Sequence, residues 1–288
     1  MSTKIEWCDE TVNPIVGCSK ISDGCLNCYA EKMANRLSHM DVEGYDEVVG
    51  YGGKWNGNTV FVPKALEKIA KWRKPKRIFV GSMTDIFHKN TSNSDIAAVF
   101  GAMCSAPRHN FILLTKRPER AKAWFEWVEK RQEQGKSLFP DDNDEWRVWQ
   151  MLYVEGRKKG IDLPVHHGGL WPLPNIWLGV TVESEKYLGR VNTLLKIPAA
   201  VRFVSVEPML GPVSLNPFFP SMNFPSLRPP ALQWIICGPE TGPSKRPFDF
   251  DWARDLRDQC RAACVPFFYK KHDDFKTPED LRIAEFPE

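Results

Sequence analysis

The sequence predicts an α/β fold: a parallel sheet, closed or partly closed as a barrel of the (β/α) TIM-like kind. Three observations predict it. Seven short apolar runs, each bounded by Gly, Pro or charge, are spread along 288 residues. Helical patterns fall between them, so the chain reads as right-handed βαβ units. No Gly-rich dinucleotide fingerprint follows the first run, which counts against the alternative, an open doubly wound sheet.

The runs are residues 11–16, 77–81, 110–115, 175–182, 202–206, 233–237 and 265–270. They are rich in Val, Ile, Phe and Leu, as strands buried on both faces are. After Cys28, the residues Tyr29, Ala30, Met33, Ala34 and Leu37 mark one helix face. Pro63 opens a second helix, a favoured first-turn place for proline. Ser94, Ser184 and Asp251 stand where caps for three more helices are expected. Residues 41–58 are Gly-rich and polar and read as a loop. A single domain over 1–288 is expected, interrupted by an insertion at 121–174 with five Trp and several charge runs. Its first part, 121–134, and residues 147–158 have helical patterns. An insertion of this length is either a lid or binding element, or a plain helical hairpin.

Composition bounds the function. Hydrophobic residues are 42% and charged residues 26%, ordinary for a soluble globular chain and not for a disordered one. No apolar run approaches the ~20 residues that cross a bilayer. The first residues lack an apolar signal core, so a cytoplasmic location is expected. A net charge of +3 permits a nucleic-acid partner without arguing for one.

The eight cysteines are unevenly placed: Cys8, Cys18, Cys25 and Cys28 fall within the first 28 residues. A disulfide framework does not suit a chain of this size without a secretion signal. Cys18-x6-Cys25-x2-Cys28 lies between the first strand and the first helix. Thiolates select zinc, copper(I) or iron–sulfur centres. Structural zinc takes four closed ligands, whereas three cysteines suit an iron–sulfur cluster with one iron left open. Cys8 as a fourth ligand, giving a closed zinc site, and unconnected core thiols stay as alternatives. Cys104, Cys237, Cys260 and Cys264 read as inert thiols. His166 and His167 lie in a Pro- and Gly-rich loop whose polarity explains them.

Seven segments carry a family resemblance: GCSKISDGCLNCYA (17–30), VGSMTDIFH (80–88), LLTKRP (113–118), WLGVTVES (177–184), RFVSVEPMLGPV (202–213), WIICGPETGP (234–243) and PFFYKK (266–271). On these the chain resembles radical SAM enzymes. It is most similar to a phage-type family of uncharacterised radical-SAM-like three-cysteine proteins, and distantly similar to spore photoproduct lyase. The resemblance implies that Cys18, Cys25 and Cys28 ligate a [4Fe–4S] cluster whose open iron binds S-adenosylmethionine (SAM). It implies reductive cleavage to a 5′-deoxyadenosyl radical, an electron-donor partner and, for a phage-encoded chain, the bacterial host cytoplasm. The chain departs from the common C-x3-C-x2-C spacing in its first gap. It also has Asn27 where an aromatic residue usually packs on the adenine; Tyr29 stands ready to substitute.

In such barrels the functional groups gather at the C-terminal ends of strands. Ser82, Thr84 and Asp85 follow the second strand, where similar enzymes hold the methionine amino group; Asp85 as a turn cap is the alternative. Lys116 and Arg117 follow the third strand, either to meet a carboxylate or phosphate or as a solvated surface pair. Thr181 ends the fourth, and Arg190 beyond it reads as a surface residue. Glu207 and Glu240 follow the fifth and sixth strands and are candidates to hold the SAM ribose or orient substrate. Glu207, Glu240 and Lys116 are the candidate catalytic groups. Asn27, Tyr29, Ser82, Thr84, Asp85, Thr181 and Glu207 are the candidate cofactor contacts. The expected substrate is a thymine-type nucleobase side group in phage DNA. Lys116, Arg117, Lys245, Arg246, Lys270 and Lys271 are expected to meet phosphates, and the insertion tryptophans to stack on bases. A peptide or small metabolite is the alternative substrate, and a non-enzymatic zinc module the alternative class.

Overall fold

In the computed structural model, which describes residues 3, 5–133, 172–220, 230–271 and 277–288, seven parallel strands make one curled sheet, a half-barrel. The strands are β1 (Glu10–Val12), β2 (Ile15–Val16), β3 (Val60–Phe61), β4 (Arg77–Val80), β5 (Asn110–Thr115), β6 (Ile176–Thr181), β7 (Val201–Val206), β8 (Trp234–Cys237) and β9 (Phe267–Tyr269). The sheet order is β1-β4-β5-β6-β7-β8-β9, with β2 and β3 paired apart from it. The strands therefore follow one another in chain order without reversal. A doubly wound sheet reverses at its centre, so that alternative is excluded.

The helices are α1 (Tyr29–Ser38), α2 (Glu67–Lys71), α3 (Asn93–Cys104), α4 (Pro118–Glu133), α5 (Gly189–Leu194) and α6 (Phe250–Ala262). The strand side chains alternate between two clusters, as a period of two requires. Ile78, Val80, Phe111, Leu113, Leu178, Val180, Val204 and Val206 pack outward with α3 to α6. Phe79, Ile112, Trp177, Phe203, Trp234, Ile236 and Phe268 face inward, closing on Trp7 and, from the other end of the chain, Phe286. Each fully buried large apolar side chain contributes about 1.5–3 kcal/mol. Gly179 on β6 is part of this packing: a Cβ there would lie 2.4–2.5 Å from the Phe203 ring.

Three local expectations are corrected. Residues 11–16 are two strands, because Pro14 has no N–H for the ladder. β1 joins the main sheet while β2 turns away to pair antiparallel with β3. Ser92, not Ser94, caps α3: its hydroxyl accepts from Asp95 N–H, and Asp95 reaches back in a capping box. Asp249, not Asp251, caps α6.

Within the expected insertion, α4 is a helix. Trp124 is buried in the core and Trp127 packs against it, so neither is presented to a base. Residues 147–158, His166, His167 and the three other tryptophans lie outside the described residues. α4 starts at the C-terminal end of β5 and runs back beside the sheet, and β6 begins at Ile176. Among the described residues no helix is long and apolar enough to cross a membrane.

Candidate functional site

An open cavity lies at the C-terminal edge of the sheet. Its lining includes Cys18, Cys25, Cys28, Asn27, Tyr29, Ser82, Thr84, Asp85, Lys116, Thr181, Glu207 and Glu240. All twelve candidate site residues thus share one space. They come from the cysteine loop and from the ends of five strands.

The cysteine loop is built against the strand ends. Gly17 takes φ +96°, which a side chain would disfavour, and a Cβ there would lie 2.3 Å from the Asn58 carbonyl. Thr84 donates to the Gly17 carbonyl at 2.6 Å, tying the start of the loop to the end of β4. Next to Cys18, Ser19 Oγ sits 2.8 Å from His88 Nε2. His88 Nδ1 accepts from Asn90 N–H at 3.2 Å, which places the ring proton on Nε2 and makes it the donor to Ser19. Burial, then the nearby Arg117, lowers the His88 pKa from 6.5 to about 4, so this imidazole is neutral.

Asp85 is almost fully buried, and both its oxygens are occupied. They accept from Thr115 Oγ1 (2.7 Å), Phe87 N (3.1 Å), Lys116 N (3.0 Å) and Arg117 Nη1 (2.9 Å). It is the cap of the following turn and also the anchor of Arg117. Arg117 in turn donates to the Ser19 carbonyl at 2.8 Å and lies 3.9 Å from Cys18 Sγ. Burial, then Asp85, pushes the Cys18 thiol up to about 11.

A second buried carboxylate, Glu183, holds the other half of the loop. It is fully buried, accepts from Ser22 Oγ and Lys116 Nζ, and pairs with Arg190 Nη1 at 2.8 Å. Burial opposes its charge, but Lys116 and Arg190 prevail and hold the carboxyl below its ordinary range. Arg190 is buried and also donates to the Thr181 carbonyl at 2.7 Å, which corrects its reading as a surface residue. Lys116 is likewise no solvated surface cation. Burial raises the Cys25 pKa, but Lys116 and hydrogen bonds from the loop outweigh it and leave the thiol below its ordinary value.

Asn27 joins the loop to the far rim, donating to Glu240 at 3.1 Å and to the Ser244 carbonyl at 2.8 Å. Glu240 is grasped by Arg246 through Nε (2.9 Å), Nη2 and its backbone N–H (2.8 Å). Burial works against its charge, and the Arg246 bonds more than offset that. Tyr29 donates to the Ser82 carbonyl at 2.8 Å, which lays its half-exposed ring along the cavity. Ser82 donates to Asn13 at 3.1 Å. Glu207 differs from the other carboxylates: among the described residues its hydrogen-bond partner is Lys270 alone. Lys270 reaches it across Gly238, where a Cβ would meet Lys270 Cβ at 3.1 Å.

Cys8 does not line the cavity. It is buried in the inner apolar cluster, with its thiol pushed up to about 12 by burial. Among the described residues no group of three or more His, Cys, Asp or Glu side chains converges tightly enough for a metal ion. The three loop thiols share a cavity without meeting at a point. Thiolate donors of this kind suit soft centres such as zinc, copper(I) or iron–sulfur.

Glu183, Arg190, Ser22, Ser19 and His88 were not singled out by sequence reasoning as site residues. A signal existed for one: Gly24 directly before Cys25 marks a close approach, and the group approaching is Glu183.

The fold and the cavity define an α/β half-barrel protein with a thiol-bearing site at the carboxyl edge of its parallel strands. The chain belongs to the family described as protein of unknown function (DUF5131), whose model matches residues 2–285. No curated protein and no solved structure matches it.

Proposed function

We propose that this protein is a radical SAM enzyme on a partial TIM-type barrel, holding a [4Fe–4S] cluster through Cys18, Cys25 and Cys28. The observation that carries the reading is that three thiols of one loop, without a fourth, face the same cavity as the polar ends of the parallel strands. The bound cluster would supply the electron that cleaves SAM to methionine and a 5′-deoxyadenosyl radical. The chain's own residues do the rest. Asp85 and Arg117 hold the loop at Cys18. Tyr29 offers its ring to the adenine. Glu207, the one cavity carboxylate with acceptor capacity left over, takes the ribose hydroxyls, and Thr181 lines the same wall.

The proposed substrate is a nucleobase side group in DNA, on the strength of the resemblance to phage-type relatives and spore photoproduct lyase. A base within a duplex would have to be flipped out. A second reading, a peptide or small-metabolite substrate, is favoured by the rim charges. Lys116, Arg117, Arg246 and Lys270 are each paired to a carboxylate of the same site and not held ready for phosphates. A zinc module is the weakest reading, because Cys8 stands apart from the other three.

Anaerobic reconstitution with iron and sulfide tests the class. The expected result is a brown protein that releases 5′-deoxyadenosine from SAM under strong reductant. A colourless, zinc-loaded protein that leaves SAM intact overturns it. Glu207→Gln should retain iron and weaken SAM binding about tenfold, or ~1.4 kcal/mol, by equilibrium dialysis. Mass spectrometry of nucleosides from treated DNA, against treated metabolite and peptide pools, separates the two substrate readings.

A further inference from the structure

We infer that Glu183 is a positioning residue for the cysteine loop, acting with Gly24 and Ser22 to fix where Cys25 and Cys28 stand. The inference rests on the cluster-binding reading and adds the part of the chain that makes the loop fit.

Two independent contacts carry it. Ser22 donates its hydroxyl to Glu183 across 161 residues of sequence. Gly24 then crosses directly over the same carboxylate: a Cβ at Gly24 would lie 2.5 Å from Glu183 Cγ and 2.6 Å from Oε1. Real side chains do not approach so closely, so the loop lies on Glu183 only because residue 24 has no Cβ. The carboxylate itself cannot yield. It continues from the end of β6, is fully buried, and is gripped by Lys116 and Arg190. A rigid strand thereby sets the height and register of the segment that carries Cys25.

The charges point the same way. Two cations, the partly exposed Lys116 and the buried Arg190, surround one buried carboxylate, which leaves the three groups one positive charge in excess. The excess faces the cysteine side of the cavity, where Lys116 also lies 3.5 Å from Ser22 Oγ. Lys116 is partly exposed, and a cation at that place favours an anion beside it. Three thiolates around a cluster supply negative charge at that place. Partners of this kind, one shell beyond the ligands, orient the ligands and tune the metal.

The experiment compares wild type, Glu183→Gln, Glu183→Ala, Gly24→Ala and Gly24→Ala/Glu183→Ala, reading three quantities. These are hydrogen exchange of residues 18–28 in the iron-free protein, iron retained after desalting, and cluster reduction potential. Glu183→Gln should speed exchange in 18–28 but not in β4 to β8, weaken iron retention about tenfold or more, and shift the potential. Gly24→Ala keeps every charge and should show the same loop-specific change, so the inference is readable even where Glu183→Gln fails to fold. Removing the carboxylate relieves the clash, so the double variant should be no worse than Glu183→Ala alone. Unchanged exchange in 18–28 for Gly24→Ala, with iron and potential as in wild type, overturns the inference while the cluster reading stands. Wild type that takes up no iron overturns the cluster reading. In that case the inference fails with it as a statement about ligands, and exchange alone reports whether Glu183 orders the loop.

Discussion

The concave face of the sheet has two halves, built by the same strands. Toward their N-terminal ends, Trp177, Phe203, Trp234 and Phe268 close on Trp7 and Phe286 as a dry aromatic floor. Four residues beyond Trp177 stands Thr181; four beyond Phe203, Glu207; two beyond Phe268, Lys270. These steps keep the same side of the strand, so about 7–13 Å of travel separates packing from polar chemistry. The comparison teaches that one side of one sheet can hold the fold at one end and remain free to vary its groups at the other.

The sharpest way to break this division is through sulfur. Cys18→Ala, Cys25→Ala and Cys28→Ala should each abolish iron binding. Cys8→Ala, altered in the floor, should retain it. Iron and sulfide analysis after reconstitution decides; loss of iron in Cys8→Ala would join the two halves. Next in size is Trp234→Ala. Trp234 is fully buried and its indole donates to the Glu285 carbonyl at 2.9 Å. Its loss should cost about 3–5 kcal/mol in urea unfolding, with the folded fraction still taking up iron. Gly179→Ala should cost about 1–3 kcal/mol by driving a methyl into the Phe203 ring. A neutral result there would mean that the floor is looser than its distances imply.

The smallest expected effect is pH-dependent and sharpens the same contrast. His88 stands at the cavity and His109 stands away from it, edge-on to Trp72 and Phe111. Burial, and then Arg117 or Arg108, lowers both from 6.5 to about 4. Between these values the unfolded chain takes up protons that the folded chain refuses. Stability is therefore full above pH 6.5 and declines as pH falls toward 4. His109→Phe should flatten the decline in melting temperature over that window without touching iron uptake.

The floor was easier to read in the sequence than the rim. Seven apolar runs marked the seven strands of the main sheet because burial on both faces leaves a compositional trace in consecutive residues. The missed β2–β3 pair has two residues in each strand, too few for periodicity to register. Caps slipped by two residues at Ser92 and Asp249 because several capping residue types stand side by side there. At the rim, strand-end position alone pointed to Asp85, Glu207 and Glu240. It did not reveal that Asp85 and Glu240 spend their oxygens on neighbours, since Arg117 and Arg246 declare their partners only in three dimensions. Arg190 was misread because its carboxylate, Glu183, lies outside the helix that carries Arg190, in the segment after β6, so helical patterning does not pair them.

The last strand of the sheet would offer an open row of peptide groups to any passing molecule. The chain's own ending lies along it instead. Tyr269 N–H donates to the Ile283 carbonyl at 2.9 Å, Glu285 N–H to that of Phe267 at 3.1 Å, and Phe268 bridges Ala284 in antiparallel fashion. This short strip works as a guard against self-association. Cutting the chain after Arg282 would strip the guard away and would also take Phe286 and the Glu285 carbonyl from the floor, and the expected consequence is a less stable protein that sticks to its own copies in solution.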